Sequence, residues 1–361
     1  MSTDFARLRL KHHGDPAMID RILQEECREK CSAKIPTLLG NPDFRFPSLA
    51  TAEMATSEAV AEIHTHIAPP PPAGVLDMTC GLGVDAYAFA AAGYEVMAFD
   101  IDPATAREAR HNADVLGLGN LEVCEGDSLK FLLESDRKFD IIFVDPARRD
   151  IKGRHYALTD CHPDIPAHLD EILSHCDTLI VKASPMVNPS EFDSVRHDTH
   201  IIGTPTECKE VVFVAGNRSV GQTFCHTVGH EPYVYHTDAE PQIGARTGAF
   251  ILIPYPSVMK AGGNVCIDGT WKADRFSHLY FSDSEIENFP GLCRKVRDVM
   301  DFDKRTIRMF ASQYPKINVS ARNFPLSAPE LVKRLKVKEG GDLFLYATTL
   351  AGGRKILIVA E

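Results

Sequence analysis

Short apolar runs alternate with helical patterns through the middle of the chain. The first helical pattern, residues 86–92, is stopped by Gly93, and the second begins at Pro103 behind Asp102, a natural N-cap. Strands that alternate with helices are typical of a parallel α/β sheet. The predicted strands are residues 75–78, 95–99, 121–124, 141–144, 178–181, 200–203 and 211–215. The pattern therefore predicts a core with a parallel α/β sheet.

Different patterns flank this core on both sides. Asp15 and Pro16 begin an amphipathic helix, and a second helix, residues 57–67, must end at the proline run 69–72. Beyond the core, the chain is first rich in β-forming residues and then combines a basic helical stretch, residues 331–338, with two short strands. We predict four parts: an N-terminal helical segment (1–70), the core (71–222), a β-rich connecting segment (223–289) and a small basic α+β domain (290–361).

The composition excludes several classes of protein. Charged residues make up 25% of the chain and the hydrophobic set 44%, and no apolar run is long enough to span a bilayer. The N-terminus carries charges and lacks the apolar stretch of a secretory signal. The ten cysteines are scattered, and Cys27 and Cys31 have no second pair at zinc-finger spacing. We therefore expect a cytoplasmic protein with reduced thiols, no membrane segment and no metal.

Charge is distributed unevenly along the chain. Residues 290–361 contain 14 Lys and Arg against 7 Asp and Glu, a net charge of +7, whereas residues 1–289 carry −18 of the total of −11. A local excess of Lys and Arg attracts polyanions even when the whole protein is acidic. The C-terminal part is therefore a candidate nucleic-acid-binding domain, with a solvated basic helix face as the alternative.

A glycine-rich turn follows the first predicted strand. Gly81 and Gly83 lack a Cβ, so the backbone can approach a ligand where the next helix begins. Asp77 suits the ammonium group of S-adenosylmethionine (SAM), and Asp100, at the end of the second strand, suits a ribose. A nicotinamide dinucleotide is the rival cofactor, because Gly-x-Gly followed by an acidic residue fits its fingerprint too. The candidate cofactor-binding residues are Asp77, Thr79, Gly81, Gly83, Asp85, Asp100, Ile101, Asp127 and Ser128.

The fourth strand ends in the sequence FVDPARRD, which favours SAM. Pro146 biases Asp145 to an extended conformation, so the Asp145 side chain and nearby carbonyls form a rigid set of acceptors for an amine nucleophile. Asp145 and Pro146 are therefore the candidate catalytic residues. Related Asp-Pro-Pro-aromatic elements of class I methyltransferases act on exocyclic nitrogens, but here Ala147 and Arg148 replace the Pro-aromatic pair.

Three cations near this element are candidate substrate contacts. Arg148 and Arg149 can bind a phosphate, with an ion pair to a nearby carboxylate as the equally weighted alternative. Lys182 follows the fifth strand and is a candidate phosphate or carboxylate contact, with a solvated lysine as the alternative. Covalent catalysis is disfavoured, since neither Cys80 nor Cys161 has a local sequence that lowers a thiol pKa.

Short motifs spread along the chain resemble one family. They are FPS at Phe46, SEA at Ser57, DMTCGLGVDAY at Asp77, VDPARRD at Val144, DCHPD at Asp160, KASPM at Lys182, ECKEVVF at Glu207, SVMKAG at Ser257 and SARNFPLS at Ser320. The chain resembles bacterial class I SAM-dependent methyltransferases that have a ferredoxin-like segment followed by a THUMP-like C-terminal domain. Cys80 stands where that family commonly has glycine. The resemblance implies a Rossmann-like methyltransferase core and, by analogy with THUMP domains, RNA as the substrate class.

The expected function is methylation of a base of structured RNA, at an exocyclic or ring nitrogen. The basic C-terminal domain would dock the RNA through Arg322, Lys333, Arg334 and Lys336. One alternative is a methyltransferase of a small molecule or a protein, which would leave the basic domain unexplained. The other is a SAM-binding RNA-binding protein without turnover, suggested by the missing aromatic residue after Pro146.

Overall fold

The computed structural model describes residues 3–148 and 157–361, which divide into two compact units. The first unit comprises the chain up to residue 202 together with residues 209–222, and the second comprises residues 203–208 and 223–361. Among the described residues, no helix combines the length and apolar character needed to cross a bilayer. The four parts predicted from the sequence are thus grouped in pairs, and the finer division stays a prediction.

The first unit begins with four helices and continues as an α/β sheet. Its helices are α1 (Phe5–Lys11), α2 (Pro16–Cys31), α3 (Leu49–Met54), α4 (Glu58–Ile67), α5 (Val84–Ala91), α6 (Pro103–Val115), α7 (Ser128–Leu133) and α8 (Leu169–Leu173). Its strands are β1 (Gly74–Asp77), β2 (Glu95–Asp100), β3 (Leu121–Glu125), β4 (Phe139–Val144), β5 (Ala147–Arg148), β6 (Cys161–His162), β7 (Cys176–Ala183), β8 (His197–Gly203) and β9 (Cys208–Gly216). Each predicted core strand overlaps an observed one.

The main sheet of this unit has its strands in the order β8-β9-β7-β4-β1-β2-β3. β1, β2, β3, β4 and β7 pair in parallel, but β9 runs antiparallel to β7. The prediction of a parallel sheet throughout is wrong at this edge. A 3-10 turn, Pro189–Phe192, follows β7 in place of a crossover helix. The strand order reverses between β1 and β4, so their carboxyl ends border the crevice where open α/β sheets bind ligands.

The N-terminal helices pack onto this sheet layer. Phe44 and Phe46 are almost fully buried in one apolar cluster with Cys27, Cys31 and Tyr87 of α5. Several hydrogen bonds join the same region to α6; in two of them, Arg45 N donates to Asn112 Oδ1 over 2.7 Å, and Asn112 Nδ2 donates to Arg45 O over 2.8 Å. Residues 3–70 and the core therefore form one hydrophobic unit.

The second unit is built on a mostly antiparallel sheet. Its elements are β10 (Thr223–Thr227), β11 (Tyr233–Tyr235), β12 (Phe250–Pro254), α9 (Pro256–Ala261), β13 (Thr270–Asp274), β14 (Ser277–Ser282), β15 (Gly291–Asp301), α10 (Lys304–Gln313), β16 (Asn318–Ala321), α11 (Ala328–Leu335), β17 (Phe344–Thr349) and β18 (Lys355–Ala360). The strands of the sheet have the order β13-β14-β12-β15-β18-β17-β16. In this sheet β16 and β17 pair in parallel, and the other neighbouring strands pair antiparallel.

Helix α11 carries the basic stretch predicted as residues 331–338. Ser327 and Glu330 form a capping box at its start, and Leu331 and Leu335 are buried against the sheet. The helix ends at Leu335, before the predicted end, because Lys336 adopts the left-handed conformation with φ 57°. The apolar face therefore fixes the helix while its basic residues remain exposed.

Candidate active site

The glycine-rich turn connects β1 to α5 and is fixed against the end of β2. Gly83 has φ 92°, and a Cβ there would lie 2.3 Å from the ring of Tyr87, so only glycine fits. Gly81 has φ 55°, and its N–H donates to Asp100 Oδ2 over 2.9 Å. The second oxygen of Asp100 accepts from Asp102 N, also over 2.9 Å. The acidic residue of β2 therefore lies beside the turn, as the sequence predicts.

The remaining candidate cofactor residues divide between exposed groups and groups that fix the loops. Ile101 is 61% exposed, although it is a large apolar side chain, and Asp127 is exposed as the N-cap of α7. Ser128 is buried and donates to Met78 O over 2.7 Å, whereas Thr79 Oγ1 accepts from Asp145 N over 2.7 Å. Ser128 and Thr79 thus join the β1 turn to the loops that follow β3 and β4.

Asp77 is the carboxylate most shielded from solvent at this edge. The residue is 1% exposed, and among the described parts of the chain its carboxylate accepts one hydrogen bond, from Thr79 N over 2.9 Å. Burial raises the pKa of Asp77 to about 8, and the negative charges of Asp85 and Asp145 act in the same direction. A carboxylate in this environment gains most from a cationic ligand. The site therefore fits the ammonium group of SAM.

Asp145 follows β4 and is held by a buried lysine. Lys182 Nζ lies 2.7 Å from Asp145 Oδ2, 2.8 Å from Thr56 Oγ1 and 3.6 Å from Glu210 Oε2. The Lys182 side chain is 10% exposed, whereas that of Asp145 is 40% exposed. Burial opposes the charge of Lys182, but the carboxylates raise its pKa. The sequence predicts Lys182 as a substrate contact, and the structure differs: its ammonium group faces protein partners because β7 lies inside the sheet.

A buried histidine lies behind this pair. His64 has no exposed surface; its Nδ1 is 2.7 Å from Asp85 Oδ1, and its Nε2 is hydrogen-bonded to Glu210 Oε1. Burial alone would lower the pKa of His64, but the charges of Glu210 and Asp85 raise it to about 9. For Asp85, burial opposes ionisation, yet His64 lowers the pKa to about 2. His64 is therefore an imidazolium that lies between the carboxylates of Asp85 and Glu210.

Sequence reasoning places Asp85 with the cofactor but misses its partners. Thr56 Oγ1 donates to Asp85 Oδ2 over 2.8 Å, which joins Asp85 to the residues around Lys182. Thr56 and His64 come from the N-terminal helical segment, and Glu210 comes from β9. The motif SEA at Ser57 adjoins Thr56 and the motif ECKEVVF at Glu207 contains Glu210, so these motifs are the sequence signal for two of the three residues; no motif marks His64.

Two family models match two separate ranges of the chain. Residues 73–178 match a methyltransferase domain, and residues 293–361 match a THUMP domain-like family. The chain contains a methyltransferase domain and a THUMP-like domain. The family resemblance, the α/β fold class and the assignment as an enzyme, all expected from the sequence, are thereby confirmed.

One solved structure has a similar fold, and two curated proteins are similar in sequence. The crystal structure of a putative methyltransferase from Porphyromonas gingivalis W83 superposes over 100% of this chain and 94% of that chain, with a TM-score of 0.85 and 24% identity. An uncharacterised SAM-dependent methyltransferase of Mycobacterium tuberculosis (strain H37Rv) is 24% identical over 293 residues, 77% of this chain and 78% of its own length. An uncharacterised RNA methyltransferase of Parasynechococcus marenigrum is 35% identical over 80 residues, 22% of this chain and 17% of its own length.

The candidate substrate residues lie in both units. Arg149 lies outside the described residues, as does the side chain of Arg148, whose backbone pairs with Cys161 between β5 and β6. In the THUMP-like domain, Arg322 is half-buried and lines a cleft of about 510 Å³ together with Tyr255, Phe344 and Tyr346. The exposed basic residues of α11 and its C-cap are Lys333, Arg334 and Lys336.

Cys80 lies in the methyltransferase turn but is unsuited to nucleophilic chemistry. Its side chain is 6% exposed, and burial raises its pKa well above the ordinary thiol value. We expect Cys80→Ala to retain at least about one third of wild-type turnover, because a non-covalent transfer needs no thiolate. Methyl transfer by the folded variant measures this. A loss of activity above about a hundredfold, with SAM binding intact, would instead establish covalent catalysis.

Proposed function

We propose that this protein is a SAM-dependent methyltransferase that modifies a base nitrogen of structured RNA. The position of Asp145 carries the proposal. Its partly exposed carboxylate lies at the carboxyl end of β4, and Lys182 binds only its Oδ2 atom. Among the described residues, Oδ1 has no hydrogen-bond partner, so it can accept a hydrogen bond from an amine and direct the nitrogen lone pair. Fixed alignment of this kind is the main requirement of an in-line displacement.

The cofactor in this proposal is SAM, the compound named for the Mycobacterium relative. Asp77 would bind its ammonium group, Asp100 its ribose hydroxyls, and Ile101 would cover its adenine beside Asp127. SAM supplies an electrophilic methyl group when it is bound. The residues of the chain orient the acceptor nitrogen and exclude water.

The substrate class rests on the THUMP-like domain. The Parasynechococcus relative is named an RNA methyltransferase, and the THUMP-like domain here contains the basic C-terminal part of the chain. Folded RNA is recognised largely through phosphates, 2′-hydroxyls and shape, and an exposed row of cations suits that mode. Helix α11 with Lys336 would provide these cations, and Arg322 would add a guanidinium in the separate cleft lined by Phe344 and Tyr346.

A triple substitution tests the docking surface. Replacing Lys333, Arg334 and Lys336 with glutamine is expected to lower RNA affinity at least about tenfold at low salt. The slope of log affinity against log salt should fall by about 2, since each neutralised phosphate contributes about 0.7 to 0.9. Binding titrations across a salt series measure both quantities, and SAM affinity should not change.

A matched triple separates docking from net charge. Arg21, Arg107 and Lys130 of the first unit have side chains that are 72%, 67% and 69% exposed, and glutamine there removes the same charge. This control should bind RNA within about twofold of wild type if α11 is the docking surface. If both triple variants lost RNA affinity equally, the loss would come from overall charge and not from a docking surface on α11.

Incubation with labelled SAM and cellular RNA or protein fractions identifies the class of molecule that is methylated. Labelling of protein alone would overturn the RNA assignment.

A further inference from the structure

We propose that the N-terminal helical segment supplies part of the catalytic apparatus. In this proposal Thr56 and His64 are positioning residues that fix Lys182, and Lys182 holds Asp145 as the acceptor for the substrate amine. The inference rests on the role proposed above for Asp145. Residues 3–70 would then position Lys182 for the reaction in addition to packing against the core.

The partners of Lys182 include a residue of the N-terminal segment. An ammonium group has three donors, and the three neighbours of this one come from distant parts of the chain. Thr56 lies between α3 and α4, Asp145 follows β4, and Glu210 lies on β9. Thr56 is the partner that the methyltransferase sheet itself does not provide. Without its oxygen, the ammonium group would keep only the two carboxylates.

The contacts around Lys182 close into a ring. Lys182 donates to Thr56, Thr56 donates to Asp85, and the other Asp85 oxygen accepts from His64. His64 also contacts Glu210, and the second oxygen of Glu210 forms an ion pair with Lys182. Both oxygens of each carboxylate are used, so a rotation of any member breaks two contacts. Such a ring fixes Lys182 more firmly than separate pairs would.

Most of the charges in the ring are buried. The ring and Asp145 bring two cations and three carboxylates into a region where Lys182, His64 and Glu210 are at most a tenth exposed. Buried ion pairs contribute little to stability, because desolvation offsets their attraction, and apolar residues of similar volume often serve the fold as well. A cluster of this size beside the acceptor carboxylate therefore points to a role in the reaction.

The proposal predicts how the ring sets the charge of Asp145. Partial burial raises the pKa of Asp145, Lys182 lowers it, and Glu210 and Asp85 raise it. Asp77 also faces this carboxylate, and His64 offsets the charge of Glu210. Loss of either cation should raise the pKa of Asp145. The acid limb of the pH profile, where activity falls as Asp145 takes up a proton, should then move to higher pH.

Thr56 allows a matched test of positioning. Thr56→Val keeps the shape and removes the hydroxyl, whereas Thr56→Ser keeps the hydroxyl. We expect Thr56→Val to lower kcat at least about tenfold, because the variant loses a hydrogen bond to a charged group. Its SAM affinity and its KM for RNA should stay within about threefold of the wild-type values. Thr56→Ser should remain within about threefold of wild-type kcat. Equal kcat for the two variants, or a loss confined to SAM binding, would overturn the proposal.

A titration without substrate tests the charge of Asp145 independently of turnover. Aspartate carboxyl groups labelled with carbon-13 can be followed by NMR in the full chain without SAM, with Asp145→Asn used to assign the signal. His64→Gln and Lys182→Gln should raise the pKa of Asp145, whereas Lys182→Arg, which keeps the charge, should move it less. An unchanged titration in both glutamine variants, with the fold intact by circular dichroism, would reduce the ring to a structural role.

The two measurements distinguish this inference from the proposed function. If the NMR titration shifts as expected but no RNA is methylated, the ring acts on Asp145 and the substrate assignment is wrong. If RNA is methylated but Thr56→Val and Thr56→Ser turn over alike, the proposed function stands and the N-terminal segment has no catalytic part.

Discussion

Asp145→Ala is expected to lower kcat at least about a hundredfold while SAM affinity changes less than about threefold. The carboxylate accepts the hydrogen bond that orients the nucleophile, and groups positioned in this way typically contribute a factor of about 10² to 10⁴. Asp145 N, not its side chain, bonds to Thr79 of the cofactor turn, and alanine keeps that bond. A loss in kcat alone is the signature of an interaction made with the reacting atoms.

Two further variants define what Asp145 contributes. Asp145→Asn keeps the shape and an acceptor oxygen but removes the charge, so its kcat should lie between wild type and Asp145→Ala. Asp136→Ala removes an exposed carboxylate from the same domain and should leave kcat unchanged. Methyl incorporation measured at saturating SAM and RNA gives all three values. Wild-type incorporation by a folded Asp145→Ala protein would remove this residue from the mechanism.

The pattern of the sequence predicts the positions of the core strands along the chain well but not the direction of one of them. The predicted strand at 75–78 is observed as Gly74–Asp77, and the one at 211–215 lies within Cys208–Gly216. An apolar run has the same composition in either direction, so nothing in residues 211–215 shows that β9 runs antiparallel to β7. The missing crossover helix is the one local sign of this direction.

Some residues of the site are likewise predictable from the sequence and others are not. Asp77, Asp100 and Asp145 end or follow parallel strands. The carboxyl ends of such strands meet at one edge of the sheet, so the proximity of these residues is predictable. Thr56, His64 and Glu210 reach this edge through tertiary packing. His64 lies on the face of α4 that also buries Val60 and Ala61, and a lone histidine on an apolar face is usually a core residue. Lys182 ends an apolar strand and thus looks like a solvated lysine until its partners are placed around it.

SAM affinity is expected to rise with pH between about 6 and 8 because Asp77 must lose a proton to bind the ammonium group. The pKa of Asp77 is about 8 in the ligand-free protein, so most molecules carry that proton at neutral pH. Above this range affinity should level off and then fall, since an α-amino group itself loses its proton near about pH 8. Calorimetry in buffers of different ionisation enthalpy should show proton release on binding. A pH-independent affinity, or proton uptake, would contradict the role given to Asp77.

The same carboxylate should weaken the ligand-free fold as pH rises. Its folded pKa lies far above the unfolded value of 3.8, so folding takes up a proton and the free energy of unfolding falls between about pH 4 and pH 8. Asp77→Asn removes this dependence, and we expect it to stabilise the ligand-free protein at pH 8 by at least about 1 kcal/mol, because one pKa unit corresponds to about 1.4 kcal/mol. It should also weaken SAM binding more than about tenfold, whereas Asp136→Asn should alter neither quantity. Thermal unfolding at pH 5 and pH 8, with and without SAM, checks both effects. If the Asp77→Asn protein were less stable than wild type at pH 8, other groups of the fold would already offset the cost of burying the charged carboxylate.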